Sequence, residues 1–287
     1  MWQQGANIKL PPFFNPNPQQ GADQKRKHVV NELYDRGLDF NVHDLPPAGS
    51  FMLATIPRSG STYCAIRLWQ TGLVGAPMEY LNFPIMRSLF NRLGYKADEK
   101  GYISPTLIEK YWLDVQKIRT SPNGVFGYKM FTANFSEIAK VYPDFLQKIT
   151  PNFAIYLTRE DILGQSISYS RAQRSKVWFA GIPNTPIPDY DFQHIKQCLL
   201  SICYQKSFWE SVFQMTDVTP LRITYEELLA RDSEVMERVL VHMGITPDTG
   251  AAIHVPGIVR QADHVSEEWR QRFLEDASEE DLARLQS

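Results

Sequence analysis

The chain is poor in cysteine: Cys64, Cys198 and Cys203 are the three among 287 residues. So few thiols, so scattered, exclude a disulfide framework and a structural zinc site; they read as reduced thiols packed as small hydrophobes. Long apolar runs are also missing. Nothing approaches the roughly 20 residues that cross a bilayer, so no transmembrane segment is expected. The first 25 residues are polar, rich in Pro, Asn and Gln, with no apolar h-region. No signal peptide is read, and the expected location is cytoplasmic. An excess of positive charge is lacking too: Lys and Arg number 30 against 32 Asp and Glu. Proteins held to nucleic acid by charge are strongly basic, so nucleic acid is not an expected partner; a local basic pocket remains allowed. The six histidines show no H-x-x-x-H or H-E-x-x-H spacing, so no metal site is expected. No internal repeat marks a solenoid or propeller.

What is present is ordinary globular composition, with 43% hydrophobic and 22% charged residues. Residues 1–48 read as an extended or mobile N-terminal segment, with Lys27 to Arg36 open to a short helix, and 49–287 as one domain. Phe51 to Ile56 is an apolar run without alternation, which suits a strand buried on both faces of a parallel sheet. Thr62 to Gln70 reads as helix. Ser104-Pro105 offers a cap and a first-turn proline for a helix reaching Arg119. Val125 to Phe131, Phe153 to Leu157 and Leu221 to Thr224 read as further strands. Asp161 to Gln173, Tyr190 to Met215 and a stretch through Val235 towards His242 read as helices. Strands alternating with helices imply a parallel α/β sheet.

The most informative segment is Pro57-Arg58-Ser59-Gly60-Ser61-Thr62, between the first strand and its helix. A turn there aims free backbone N–H groups and the positive helix end at one spot, which is a ready anion site. Gly60 permits close approach of the backbone; Ser59, Ser61 and Thr62 add hydroxyls. It is not a nucleotide triphosphatase loop, because Ser61 follows Gly60 where G-x-x-x-x-G-K-[ST] has its lysine. Arg58 supplies the cation earlier. The plain alternative is a strand-to-helix turn rich in small residues.

This segment resembles the 5′-phosphosulfate loop of sulfotransferases, which use 3′-phosphoadenosine 5′-phosphosulfate (PAPS). Tyr156-Leu157-Thr158-Arg159-Glu160-Asp161, running into Gln165-Ser166-Ile167-Ser168-Tyr169, is similar to that family's 3′-phosphate motif. Ile223-Thr224-Tyr225-Glu226-Glu227-Leu228 resembles its late strand and Y-E-x-L turn. Gly75 to Tyr80, and Arg260-Gln261-Ala262-Asp263 with Glu268-Trp269, narrow the resemblance to the bacterial carbohydrate sulfotransferase family of trehalose 2-sulfotransferase. It covers residues 50–275 or so. It implies a P-loop kinase-like, three-layer α/β fold with a central parallel sheet flanked by helices, and PAPS as co-substrate. It implies no metal, and a homodimer is allowed, since related bacterial enzymes are dimers.

Within that frame, Arg58, Ser59, Gly60, Ser61 and Thr62 would hold the donor. Arg159, at a strand end, would take the 3′-phosphate through its guanidinium fork; a surface salt bridge with Glu160 or Asp161 is the alternative. Ser166 and Ser168 lie about 200° apart on a helix, so only one can face the phosphate. Ser168 matches the family better. The family places Arg260 and Gln261 over the nucleotide. Many relatives take the acceptor's proton with a histidine after the second strand, where this chain has Gly127 to Phe131 and no histidine. The family places glutamate at the position matching Glu79, which stands among Pro77, Met78, Tyr80 and Phe83 and can serve as a base. Lys129 would stabilise the bridging oxygen of the leaving nucleotide, or is one polar residue facing out from its strand. Trp178 suits stacking on a sugar face, or is a core or interface anchor. It stands in Ser175-Lys176-Val177-Trp178, which lacks the glycine of the family's T-G-x-W-like end.

The expected activity is sulfuryl transfer from PAPS to a hydroxyl of a carbohydrate or glycolipid, the acceptor being a small carbohydrate or lipid-linked sugar. Glu79, Arg58 and Lys129 would be the catalytic residues, and Glu79 and Trp178 would meet the acceptor. The rivals are a nucleoside or sugar kinase, which needs the missing loop lysine, and a non-catalytic nucleotide-binding module.

Overall fold

A computed structural model describes residues 8–9, 32–42, 44–99, 102–178, 187–247, 252–257 and 264–285. Strand β1 (Ile8–Lys9) is followed by β2 (Gly49–Thr55) and helices α1 (Ser61–Gln70) and α2 (Phe83–Arg92). Next come β3 (Tyr102–Ile103), α3 (Pro105–Arg119), β4 (Val125–Phe131), α4 (Thr132–Val141) and α5 (Pro143–Lys148). Then β5 (Phe153–Thr158), α6 (Ile162–Ser175), α7 (Phe192–Thr216) and β6 (Leu221–Thr224) build the second half. Helices α8 (Tyr225–Ala230), α9 (Asp232–His242), α10 (His264–Asp276) and α11 (Glu279–Ala283) follow.

Four strands form the central sheet in the order β4-β2-β5-β6, with every pairing parallel. The expected α/β class with a buried parallel sheet is what the chain adopts. The run without alternation in β2 has its reason here: β2 lies between β4 and β5, and Phe51 to Thr55 are all buried. Helix α3 begins as its sequence dictates, with Ser104 Oγ accepting from Leu107 N–H and Pro105 in the first turn. From β2 the chain crosses to β4 on one side of the sheet; β5 and β6 lie on the other. Parallel sheets leave a crevice at such a switch point, beyond the carboxyl ends of the strands. Thr55, Phe131 and Leu157 lie in register there.

Two features depart from the sequence reading. Within the segment expected to be extended or mobile, Leu33 and Tyr34 are buried in the core, 2% and 3% exposed. Ile8–Lys9 pair antiparallel with Tyr102–Ile103. The second feature is helix α4, which starts directly after β4, with Phe131 at its cap position and no side-chain cap. With no capping residue or turn at the join, the sequence carried no start signal. Among the described residues no helix is long and apolar enough to cross a membrane.

Candidate active site

The turn after β2 holds two left-handed residues, Arg58 (φ 66°) and Gly60 (φ 79°). For a non-glycine residue that conformation costs on the order of 1–3 kcal/mol and persists only where neighbours impose it. Several contacts impose it here. Gln165 Nε2 on α6 donates to Pro57 O at 2.8 Å. The hydroxyls of Thr55 and fully buried Ser59 share a hydrogen bond of 2.7 Å. Ser59 thus braces the loop from inside. A Cβ on Gly60 would come within 2.3 Å of the Tyr225 ring, so that ring lies directly on the glycine. The α1 ladder opens with Cys64 N–H on Gly60 O at 3.0 Å, and no side chain caps that end. The amides of Ser61, Thr62 and Tyr63 therefore have no acceptor in the helix and stand at its positive pole.

Arg58 reaches across the crevice. Its Nε donates to Ser168 Oγ at 2.9 Å and its Nη1 to Trp178 O at 2.6 Å. Burial, and next the charge of Arg159, bring the guanidinium down to about 10, so it stays charged at neutral pH. The two candidate serines part company: Ser166 is fully buried with Oγ donating to Ile162 O at 2.7 Å, whereas Ser168 meets Arg58.

Arg159 stands at the end of β5. Its guanidinium lies 5.2 Å from the Tyr225 ring centroid, and Nη2 pairs with Asp161 Oδ2 at 3.0 Å. Nε is buried and makes no hydrogen bond among the described residues; Glu226 Oε1 is 3.8 Å away. Glu226 instead accepts from the amides of Glu160 (3.0 Å) and Asp161 (3.4 Å), tying the turn after β6 to the turn after β5. Asp161 caps α6 through Gly164 N–H and also takes Arg270 of α10, at 2.7 and 2.6 Å to its two oxygens. Burial pushes the Asp161 carboxyl up, but Arg270, the Gly164 amide and Arg159 outweigh it and hold the group below the usual carboxylate range. Gly164 leaves room for this cluster: a Cβ there would come within 2.0 Å of Asp161 and 2.8 Å of Arg159.

Glu79 is brought in by the sheet. Met78 makes a single parallel bridge to Tyr128, and Lys129 N–H donates to Met78 O at 2.9 Å. Glu79 follows at once and lies beside the Lys129 side chain. Lys129 Nζ is 2.8 Å from Glu79 Oε1 and 3.1 Å from Thr62 Oγ1. The lysine side chain is 0% exposed, so it is not the outward-facing residue that the strand pattern also allowed. Glu79 is buried as well; its Oε2 accepts from Asn82 Nδ2 at 2.6 Å and its amide donates to Tyr34 Oη at 3.0 Å.

The fold thus gathers Arg58, the loop amides, Lys129, Glu79, Arg159 and Ser168 at one end of the sheet. Trp178 lies at the rim, 40% exposed, with its ring 6.1 Å from Tyr169. Arg260 and Gln261 lie outside the described residues. Four residues of the site were not singled out from sequence: Tyr225, Glu226, Asn82 and Arg270. Tyr225 and Glu226 stand in the Y-E-x-L segment, which was the available signal.

A sequence model of the Stf0 sulphotransferase family matches residues 50–276. The chain belongs to this family. It is a sulfotransferase by descent, and its parallel sheet with flanking helices agrees with the P-loop-like sulfotransferase fold. A trehalose 2-sulfotransferase of Mycolicibacterium smegmatis is 28% identical over 267 residues, covering 81% of this chain and 97% of that protein. A trehalose 2-sulfotransferase of Mycobacterium tuberculosis is 26% identical over 259 residues, covering 79% and 95%. Among solved structures, a sulfotransferase from Mycobacterium avium superposes with a TM-score of 0.44 at 13% identity, covering 93% of this chain and 80% of that one.

Proposed function

We propose that the chain transfers a sulfuryl group from PAPS to a hydroxyl of a small carbohydrate or lipid-linked sugar. The observation that carries this reading is the Lys129 ammonium, which joins Thr62 at the start of α1 to the Glu79 carboxylate. A donor cradle and a proton acceptor thereby share one cation. In this reading the amides of residues 61–63 and the Arg58 guanidinium hold the 5′-phosphosulfate. Arg159, whose buried Nε makes no hydrogen bond among the described residues, and Ser168 take the 3′-phosphate. As the bond from acceptor oxygen to sulfur forms, the bond from sulfur to the phosphate oxygen breaks. The hydroxyl proton goes to Glu79, and Lys129 and Arg58 offset the charge left on the phosphate. A sulfuryl group carries less negative charge than a phosphoryl group, so the transfer does not demand a metal ion. A sugar acceptor is supported by the two relatives named as trehalose 2-sulfotransferases, and Trp178 at the rim offers a face for it.

The test is thermal denaturation with 3′-phosphoadenosine 5′-phosphate beside ATP with magnesium. The first should raise Tm through binding to the folded state, and the second weakly or not at all. Equal stabilisation by the two would remove the donor assignment. A transfer assay with radiolabelled PAPS and a panel of sugars and lipid extracts then identifies the acceptor.

A further inference from the structure

Asn82 occupies the cap position of α2, with φ −83° and ψ 98°, yet its side chain makes no capping hydrogen bond. Asparagine is among the preferred residues there because its side chain ordinarily satisfies a free amide of the first turn. Here the side chain turns the other way. Its Nδ2 donates to Glu79 Oε2 at 2.6 Å, while its own amide donates to Glu79 O at 3.2 Å. Lys129, from β4, holds the other carboxylate oxygen at 2.8 Å. Each oxygen of Glu79 thus has one fixed donor, and the two donors come from different elements.

We propose that Asn82 is a positioning residue for Glu79, fixing the plane of its carboxylate and favouring its charged form. The inference rests on the reading of Glu79 as the base. The terminal torsion of a glutamate is broad, so a carboxylate with a single partner pivots. Two donors, on Oε1 and Oε2, remove that freedom. Each carboxylate oxygen offers two lone pairs, so one on each remains for an acceptor hydroxyl. A hydrogen bond to the charged form also favours that form over the protonated one. The groups facing Glu79 are Lys129 from β4, Asn82 from α2 and Tyr34 from the N-terminal segment. Burial, and next the Glu79 charge, keep the Tyr34 hydroxyl protonated well above its usual range, so Tyr34 does not compete as a base.

The experiment is a carbon-13 NMR titration of the full chain labelled at glutamate side chains, with the Glu79 resonance assigned by Glu79→Gln. Asn82→Ala removes the donor and should move the protonation midpoint of Glu79 up by about one pH unit, the size of one hydrogen bond to a charged group. Asn82→Asp keeps a cap-forming residue and adds a like charge, so its midpoint should rise further; it also serves if the alanine variant does not fold. Calorimetric affinity for 3′-phosphoadenosine 5′-phosphate should stay unchanged in both variants. A residue that only supports the helix would lower Tm and leave the midpoint in place. An unmoved midpoint in the variants that fold would overturn the proposal, whatever Glu79→Gln does to turnover. Normal turnover in Glu79→Gln with a shifted midpoint would instead remove the base reading and leave the Asn82–Glu79 coupling standing.

Discussion

Lys129 Nζ stands 2.8 Å from Glu79 Oε1 and 3.1 Å from Thr62 Oγ1, so one buried ammonium touches both halves of the site. Breaking a buried ion pair from one side leaves an uncompensated charge and costs about 3–5 kcal/mol. Lys129→Met should show that loss in urea denaturation. Adding Glu79→Gln should restore much of it, because a neutral amide needs no cation. Strictly additive losses would mean that the two side chains are not energetically coupled.

Arg159→Ala should weaken 3′-phosphoadenosine 5′-phosphate by about 2–4 kcal/mol, the size expected when one partner of a hydrogen-bonded charge pair is truncated. Adenosine 5′-phosphosulfate, which lacks the 3′ group, should weaken far less. Calorimetry with the two ligands decides the matter: equal losses would make Arg159 a structural brace for Tyr225 and Asp161.

Glu79→Gln keeps the shape and the Asn82 and Lys129 neighbours but removes the proton acceptor. Turnover should fall by about 10²–10⁴-fold, the range for loss of a general base. Nucleotide affinity should hold if, as proposed, Glu79 meets the acceptor and not the nucleotide. Steady-state transfer beside titration of the variant reads both, and near-normal turnover would take Glu79 out of the mechanism.

Asp161 gives a pH dependence. Its folded carboxyl titrates below the unfolded value, so its stabilisation is complete above an unfolded pKa of about 3.9 and is lost as pH falls through the folded one. The Tm difference between wild type and Asp161→Asn should therefore be steady above about pH 5 and shrink towards about pH 2. A difference that persists undiminished at the acid end would mean that the carboxylate charge contributes nothing to the Arg159–Asp161–Arg270 cluster.

The sheet was legible in the sequence because its strands announce themselves twice, by apolar runs and by the breaks that end them. Val125–Phe131 and Leu221–Thr224 stand at the bounds the sequence marked, and α3 starts and stops at its cap, proline and final Arg119. Helix α2 was hidden because Asn82-Phe83-Pro84 follows a loop broken by Gly75 and Pro77 and reads as more of it, although Phe83, Met86 and Phe90 repeat at helical spacing and are buried. The loop residues of the site were visible since strand end, glycine and hydroxyls are contiguous. Tyr225 was not, because its contact with Gly60 joins the turn after β6 to the turn after β2. Lys129 sat between two readings, and only the position of Glu79 against the β4 edge makes it an interior cation.

The single bridge between Met78 and Tyr128 has a consequence for how such an enzyme can change its acceptor. Neighbouring strands keep a spacing of about 4.8 Å that backbone hydrogen bonds enforce. Glu79, one residue beyond that bridge, takes its distance from Lys129 and the donor loop from the sheet, as a gauge fixed to a bench. Rim segments such as the one carrying Trp178 can then lengthen, shorten or exchange side chains, while the Glu79 carboxylate keeps its address.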